Sequence, residues 1–192
     1  MNYIFLAGGW ALYFGLHSLL AAEGVKQAAA RVWGKAFRFY RLLYSIISTV
    51  GLVALLMLNG SIQEDYFFES AGAVRYVSLM LTTFGVMTVQ LAFRQYRLKA
   101  FLGFAAETTV LKIEGILKYV RHPIYSGLIL VTLGFFLFIP NLPTLISCAC
   151  IFLYLPIGLY LEEKKLILIF GEAYLKYKTE VSALVPSLPQ ES

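Results

Sequence analysis

The chain has 192 residues, 59% hydrophobic and 14% charged, with a mean hydropathy of +0.73. That composition in one domain's length excludes an ordinary soluble globule, and the apolar residues come in runs near the roughly 20 residues that cross a bilayer. The net charge of +5 does not indicate a nucleic-acid partner, because the basic residues lie between apolar runs instead of forming one patch; positive residues flanking membrane spans account for that distribution better.

Five spans are predicted, at about 3–21, 41–59, 74–93, 123–139 and 143–161, making the chain an all-α, polytopic membrane protein in a single domain, 1–192. The opening "MNYIFLAGGW" has no basic region, so no cleaved signal peptide is expected. Residues 24–33, "GVKQAAARVW", have the pattern of a short amphipathic helix at the membrane surface. Segment 22–41 carries Lys26, Arg31, Lys35, Arg38 and Arg41 against Glu23 alone, whereas 60–73 carries Glu64, Asp65 and Glu69 with no basic residue. Segment 94–122 holds Arg94, Arg97, Lys99, Lys112, Lys118 and Arg121 against Glu107 and Glu114, and the tail adds Lys164, Lys165, Lys176 and Lys178. All but Arg75 of the 16 basic residues therefore fall on one side of the membrane. That side is cytoplasmic, with the amino terminus outside and the carboxyl terminus inside; in a prokaryote the membrane is the inner or plasma membrane.

The connection "PNLP" at 140–143 is short enough to force the last two spans into an antiparallel hairpin. Cys148 and Cys150, two apart on a helix, point to different faces, which suits neither a disulfide nor a shared metal; no metal site is predicted. From Glu162 to about Thr179 the apolar residues Leu166, Phe170, Ala173 and Tyr177 follow a helical spacing, and "VPSLP" ends that helix.

The hairpin brings two polar clusters to one membrane face. One is Arg121-His122-Pro123, with Tyr125 one turn into the fourth span and Gly127 leaving room beside the backbone. Pro123 suits a first helical turn and Arg121 a membrane anchor. A protonated His122 is disfavoured at a helix start, so a neutral imidazole with one donor and one acceptor fits better. The other cluster is Glu162-Glu163, a carboxylate pair at the end of the fifth span, suited to a cationic or hydroxyl-rich ligand.

"GILKYVRHPIYSG" followed by "EEKKLILIFGEAYLKYK" resembles the isoprenylcysteine carboxyl methyltransferase family of integral-membrane methyltransferases. The matching positions are Gly115, Arg121, His122, Pro123, Tyr125 and Gly127, then Glu162, Glu163, Leu166, Phe170, Gly171, Tyr174 and Tyr177, within a module spanning 115–178. Phospholipid N-methyltransferases and NnrU-like proteins share this module, and sterol reductases resemble it distantly. The resemblance implies S-adenosylmethionine as cofactor, leaving as S-adenosylhomocysteine, bound at the cytoplasmic face. It assigns cofactor contacts to His122, Tyr125, Glu162 and Glu163, with Leu117, Tyr119 and Val120 lining the approach. Arg121 is the first candidate for a cation facing the substrate, and Glu163 a candidate base.

The carboxyl methyltransferases carry a further arginine after the second tyrosine, where this chain reads "KYKTEVSALVP" and has Glu180, leaving Lys178 as a substitute. "LHSLLAAEGVK" and "YRLLYSIIS" look like the opening of NnrU-like proteins and related membrane thiol methyltransferases. They place His17 and Ser18 at one end of the first span and Arg41 and Tyr44 at the start of the second, as candidate substrate-binding residues. The expected acceptor is thus a small or lipophilic thiol, a carboxylate or a membrane lipid. The alternatives are a phospholipid N-methyltransferase and a non-catalytic NnrU-like membrane protein.

Overall fold

A computed structural model describes residues 1–95, 111 and 113–187. Arg97, Lys99, Glu107 and Lys112 lie outside the described residues. The helices are α1 (Asn2–Ala21), α2 (Glu23–Trp33), α3 (Tyr40–Ser61), α4 (Gly72–Gln95), α5 (Pro123–Phe138), α6 (Leu142–Phe170) and α7 (Glu172–Glu180), with 3-10 turns at Gly34–Phe39 and Gly115–Lys118. Among the described residues there is no strand beyond the single bridge of Tyr66 to Asn141. The protein is an all-α, multi-pass membrane protein: α1, α3, α4 and α6 are long and apolar enough to cross a bilayer, and α5 is a shorter apolar helix. A helix covers each of the five predicted spans, four of them long enough to cross, and residues 24–33 are helical within α2.

The fifth span is longer than expected, and the fourth, close to its expected length, is short for a bilayer. α6 runs 29 residues, about 44 Å against a hydrocarbon core of roughly 30 Å, so its last turns continue beyond one membrane thickness. The fifth span and the first half of the expected tail helix are therefore one continuous helix, with Pro156 inside it. The tail helix breaks at Gly171, whose φ of +54° is a left-handed conformation that other residues resist. α5 has 16 residues, only about 24 Å.

The described residues form two compact units. One comprises Met1–Glu69 with Pro140–Tyr154; the other comprises residues 70–95, 111, 113–139 and 155–187. The first unit has a core of Leu6, Trp10, Leu55 and Ile62 crossed by a buried polar chain. Trp10 Nε1 donates to Ser147 Oγ (2.9 Å), Ser147 Oγ to Asn59 Oδ1 (2.8 Å), and Asn59 Nδ2 to Thr144 Oγ1 (3.2 Å). The Thr144 amide then donates to Asn141 Oδ1 (3.0 Å), closing the start of α6. Without water in the hydrocarbon, each of these groups has to find a partner inside the protein, and here each member supplies the next.

The second unit rests on close contact of α4 with α5. A Cβ built on Gly127 would lie 2.6 Å from the Gly85 carbonyl oxygen and 2.6 Å from Val89 Cγ2. One on Gly134 would lie 2.3 Å from Thr82 Oγ1 and 2.8 Å from the Ser78 carbonyl oxygen. Ser78 Oγ donates to the Gly134 carbonyl at 2.9 Å, so small residues bring the backbones together and a hydroxyl joins them. The room at Gly127, read from sequence as space for an approaching group, is occupied by α4. Gly127→Val is expected to lower stability by about 1–3 kcal/mol through overpacking, read as a lower unfolding midpoint in detergent, with Gly8→Ala, where a Cβ meets nothing within 4 Å, close to neutral.

Candidate functional site at the start of α5

The second unit brings the two polar clusters together. His122 is the residue before α5, and its carbonyl accepts the first helical bond from Ser126 N at 3.1 Å, with Pro123 at the first helical position. Its ring is 3% exposed. Nε2 lies 3.4 Å from Glu163 Oε1 and 3.3 Å from the Tyr174 hydroxyl, while Nδ1 lies 3.9 Å from Glu162 Oε2. Contact between the start of α5 and the later part of α6 requires the chain to reverse, as the hairpin reading expected. Tyr125 meets the imidazole edge-on, with ring centroids 5.8 Å apart.

The two adjacent glutamates have different surroundings. Glu163 receives Arg121 Nη2 at 2.7 Å on Oε1 and Lys178 Nζ at 2.5 Å on Oε2. Its side chain is 13% exposed, so two cations already neutralise it. Glu162 is 39% exposed and, among the described residues, has the His122 ring as its ion-pair partner. Of the pair, Glu162 keeps its charge available to a ligand.

Arg121 also holds the chain's tail. Nη1 donates to the Lys178 carbonyl at 2.8 Å and to the Val181 carbonyl. Its backbone amide donates to the Ser182 carbonyl at 2.9 Å and that of His122 to the Ala183 carbonyl at 3.0 Å. Ser187 N donates to the Tyr119 carbonyl at 2.9 Å, and Ser126 Oγ to the Leu184 carbonyl at 2.6 Å. Tyr177 donates from its hydroxyl to the Leu117 carbonyl at 2.6 Å. Leu117 and Tyr119, expected along the cofactor approach, thus give their carbonyls to α7 and the tail. Val120 is buried, at 1% exposure. Among the described residues Arg121 Nε is buried with no acceptor.

Sequence reasoning gave no role to Tyr174, Tyr177 or the tail residues 182–187. The two tyrosines stood in the motif, and their burial among Leu111, Ile113, Leu166, Ile167 and Phe170 is what seats α7. The tail's contribution runs through backbone amides and carbonyls, which leave no side-chain pattern to read. Lys178, read as a substitute for the missing arginine, is paired with Glu163, while Glu180 pairs with Lys176 at 3.8 Å along α7.

The residues expected from the amino-terminal motif lie in the first unit. Tyr44 places its hydroxyl 2.9 Å from His17 Nε2 and 3.1 Å from Nδ1, and Ser48 Oγ lies 3.2 Å from Nδ1. Ser18 turns away to the Tyr154 hydroxyl at 2.7 Å. Arg41 is half-buried in the first turn of α3.

Burial lowers the His122 pKa from its usual 6.5, outweighing the nearby Glu162 and Glu163 carboxylates, so the ring is neutral near pH 7. Burial also raises the Tyr174 hydroxyl to about 12, keeping it a proton donor. Because the folded His122 takes up its proton at lower pH than the unfolded one, the unfolded state binds more protons as pH falls below 6.5 and stability declines. The unfolding midpoint is expected to drop more steeply between pH 7.5 and 5 in the wild type than in His122→Gln. Arg121→Met leaves Glu163 with Lys178 and two carbonyls without their donor. It is expected to cost about 3 kcal/mol and to speed limited proteolysis after Lys176 and Lys178, compared with wild type.

A family model described as NnrU protein matches residues 5–186. Methanethiol S-methyltransferase from Crocosphaera subtropica is 32% identical, over 92% of this chain and 71% of its own length. Methanethiol S-methyltransferase from Pseudomonas deceptionensis is 26% identical, over 90% of this chain and 68% of its own. Methanethiol S-methyltransferase 1 from Bradyrhizobium diazoefficiens is 40% identical, but the match spans 36% of this chain and only 24% of that relative. No solved structure matches. With the match running through α1 to the tail that Arg121 holds, the chain belongs to the NnrU family.

Proposed function

We propose that the protein is a membrane methyltransferase that takes its methyl group from S-adenosylmethionine and passes it to a thiol. The observation that carries this reading is the cluster of His122, Tyr125, Glu162 and Glu163 at the start of α5, in a chain whose named relatives are methanethiol S-methyltransferases. The chemistry of the donor set fits the cofactor. Glu162 is accessible and has no lysine or arginine partner among the described residues, so it suits the amino group or the sulfonium. The buried Arg121 Nε–H, which has no acceptor among the described residues, suits a carboxylate, and the neutral His122 with Tyr125 suits ribose hydroxyls or an aromatic ring.

When bound, the cofactor supplies a methyl group on a sulfonium, which departs as a neutral thioether and asks for little acid help. As the acceptor sulfur forms the new S–C bond, its proton leaves to solvent at the open side of the site, and the chain's part is to orient the partners and limit water at the sulfonium. Glu163, held between Arg121 and Lys178, fixes Glu162 and His122 in place rather than serving as a free base. Tyr174, protonated and 3.3 Å from His122 Nε2, holds the imidazole ring.

The amino terminus lies outside and the site faces the cytoplasm, on the side where the basic residues collect. The short α5 draws the bilayer boundary towards Arg121 and His122, within reach of acceptors dissolved in lipid.

Calorimetry on purified protein is expected to show binding of S-adenosylmethionine and S-adenosylhomocysteine but not NADPH. Glu162→Gln should weaken that binding at least tenfold. Absence of both sulfur ligands in the wild type would end this reading. A labelled-methyl screen over thiols, prenylcysteines and aminophospholipids is expected to label the thiols; cofactor binding with no transfer to any acceptor would identify a non-catalytic member of the family.

A further inference from the structure

Between the spans α1 and α3 the chain carries a basic segment that the site at α5 does not use. α2 has no buried residue and ends at Gly34, whose φ of +51° favours glycine, and Gly34–Phe39 continues as the 3-10 turn. In such a turn residues three apart eclipse, which puts Lys35 and Arg38 on one side with their Cα atoms about 6 Å apart. Arg31 stands in the last turn of α2. All three are exposed, and none has a carboxylate partner among the described residues. Glu23, the one acidic residue of the segment, receives Lys26 at 3.1 Å. Arg38 lies over the Phe39 ring, 4.6 Å from its centroid.

The segment is held at one depth. Its two ends run into helices long enough to cross a bilayer, and Tyr40 donates its hydroxyl to the Leu20 carbonyl at the end of α1 (2.8 Å). Trp33 and Phe37 pack on the Tyr40 ring, with centroids 5.7 and 5.5 Å from it. Val32, Trp33 and Phe39 are exposed beside the cations. Charge that only orients the spans needs no such arrangement. A platform anchored by aromatic rings, with cations and apolar groups side by side at the membrane boundary, fits a lipid.

We propose that residues 31–39 form a binding surface for an anionic phospholipid, its phosphate at Lys35 and Arg38 with Arg31 beside them, and its upper acyl carbons against Val32, Trp33 and Phe39. The charge of segment 22–41 selects the head group. Five cations stand there against Glu23 alone, so an anionic head is compensated while the ammonium of phosphatidylcholine is repelled. The exposed apolar groups select a lipid over a soluble phosphate, which would leave them uncovered. Such binding is independent of the methyltransferase reading.

The test uses the full chain in nanodiscs of phosphatidylcholine with phosphatidylglycerol, each lipid in turn brominated high on its acyl chains. Trp33 fluorescence reports the lipid beside it, while Trp10 is buried in the core of the first unit. Phosphatidylglycerol is expected to quench Trp33 with an apparent affinity at least tenfold above that of phosphatidylcholine, since each basic residue near an anionic surface contributes roughly fivefold. Combining Arg31→Gln, Lys35→Gln and Arg38→Gln should bring that ratio close to one. Removing the same charge elsewhere, with Lys118→Gln, Lys164→Gln and Lys176→Gln, should leave it unchanged. In the wild type, salt at about 1 M, where the Debye length is about 3 Å, should lower the ratio severalfold without any substitution. Equal quenching by the two lipids in the wild type would overturn the proposal, as would equal losses in the two triple variants or a ratio indifferent to salt. Inorganic phosphate that abolishes the preference at constant ionic strength would identify a free-anion site and overturn the lipid as its occupant.

Discussion

The ion pair of Arg121 with Glu163 organises the second unit. A guanidinium has donors in a fixed planar fork, and this one is used in several directions: one nitrogen to the carboxylate of α6, another to two carbonyls at the end of α7. The start of α5, the late turns of α6, α7 and the tail therefore share one charged centre. A lysine would supply the charge without the fork. Because the pair is nearly buried, each charge depends on the other for compensation. The lesser exposure of Glu163 follows from that arrangement, and so does the contrasting availability of its neighbour Glu162.

Much of this was legible in the sequence because hydrocarbon imposes a coarse rule. Runs of about 20 apolar residues separated by charged segments give the candidate spans directly, and the short "PNLP" connection gives the reversal that brings His122 to Glu163. What the sequence could not give was the division of labour within "EE". Two adjacent carboxylates have the same chemistry, and only the positions of Arg121 and Lys178 decide which one is neutralised. The length of α6 was hidden for a related reason: Lys164 and Lys165 look like the end of a span, yet a helix can pass through the interface and continue in solvent.

Glycines show the same limit from another side. Gly127 read as a vacancy beside the backbone, and a vacancy has no label for what fills it; α4 does, through Gly85 and Val89. Gly171 reads as one more helical position because the apolar spacing continues across it, while its positive φ breaks the helix. In the first unit the signal lay in scattered polar residues, Trp10, Asn59, Thr144 and Ser147. Singly each is unremarkable in an apolar helix. Their meaning is collective, since each satisfies the next where water is absent.

The tail from Ser182 to Ser187 is tied to Tyr119, Arg121 and His122 by three backbone hydrogen bonds, and this has a mechanical consequence. Tension applied beyond residue 187 is delivered to the peptide units that carry the His122 ring, with only a few bonds to peel in sequence. Any fusion joined there acts as a handle on the mouth of α5, and a rigid one would strain it while a slack one would not.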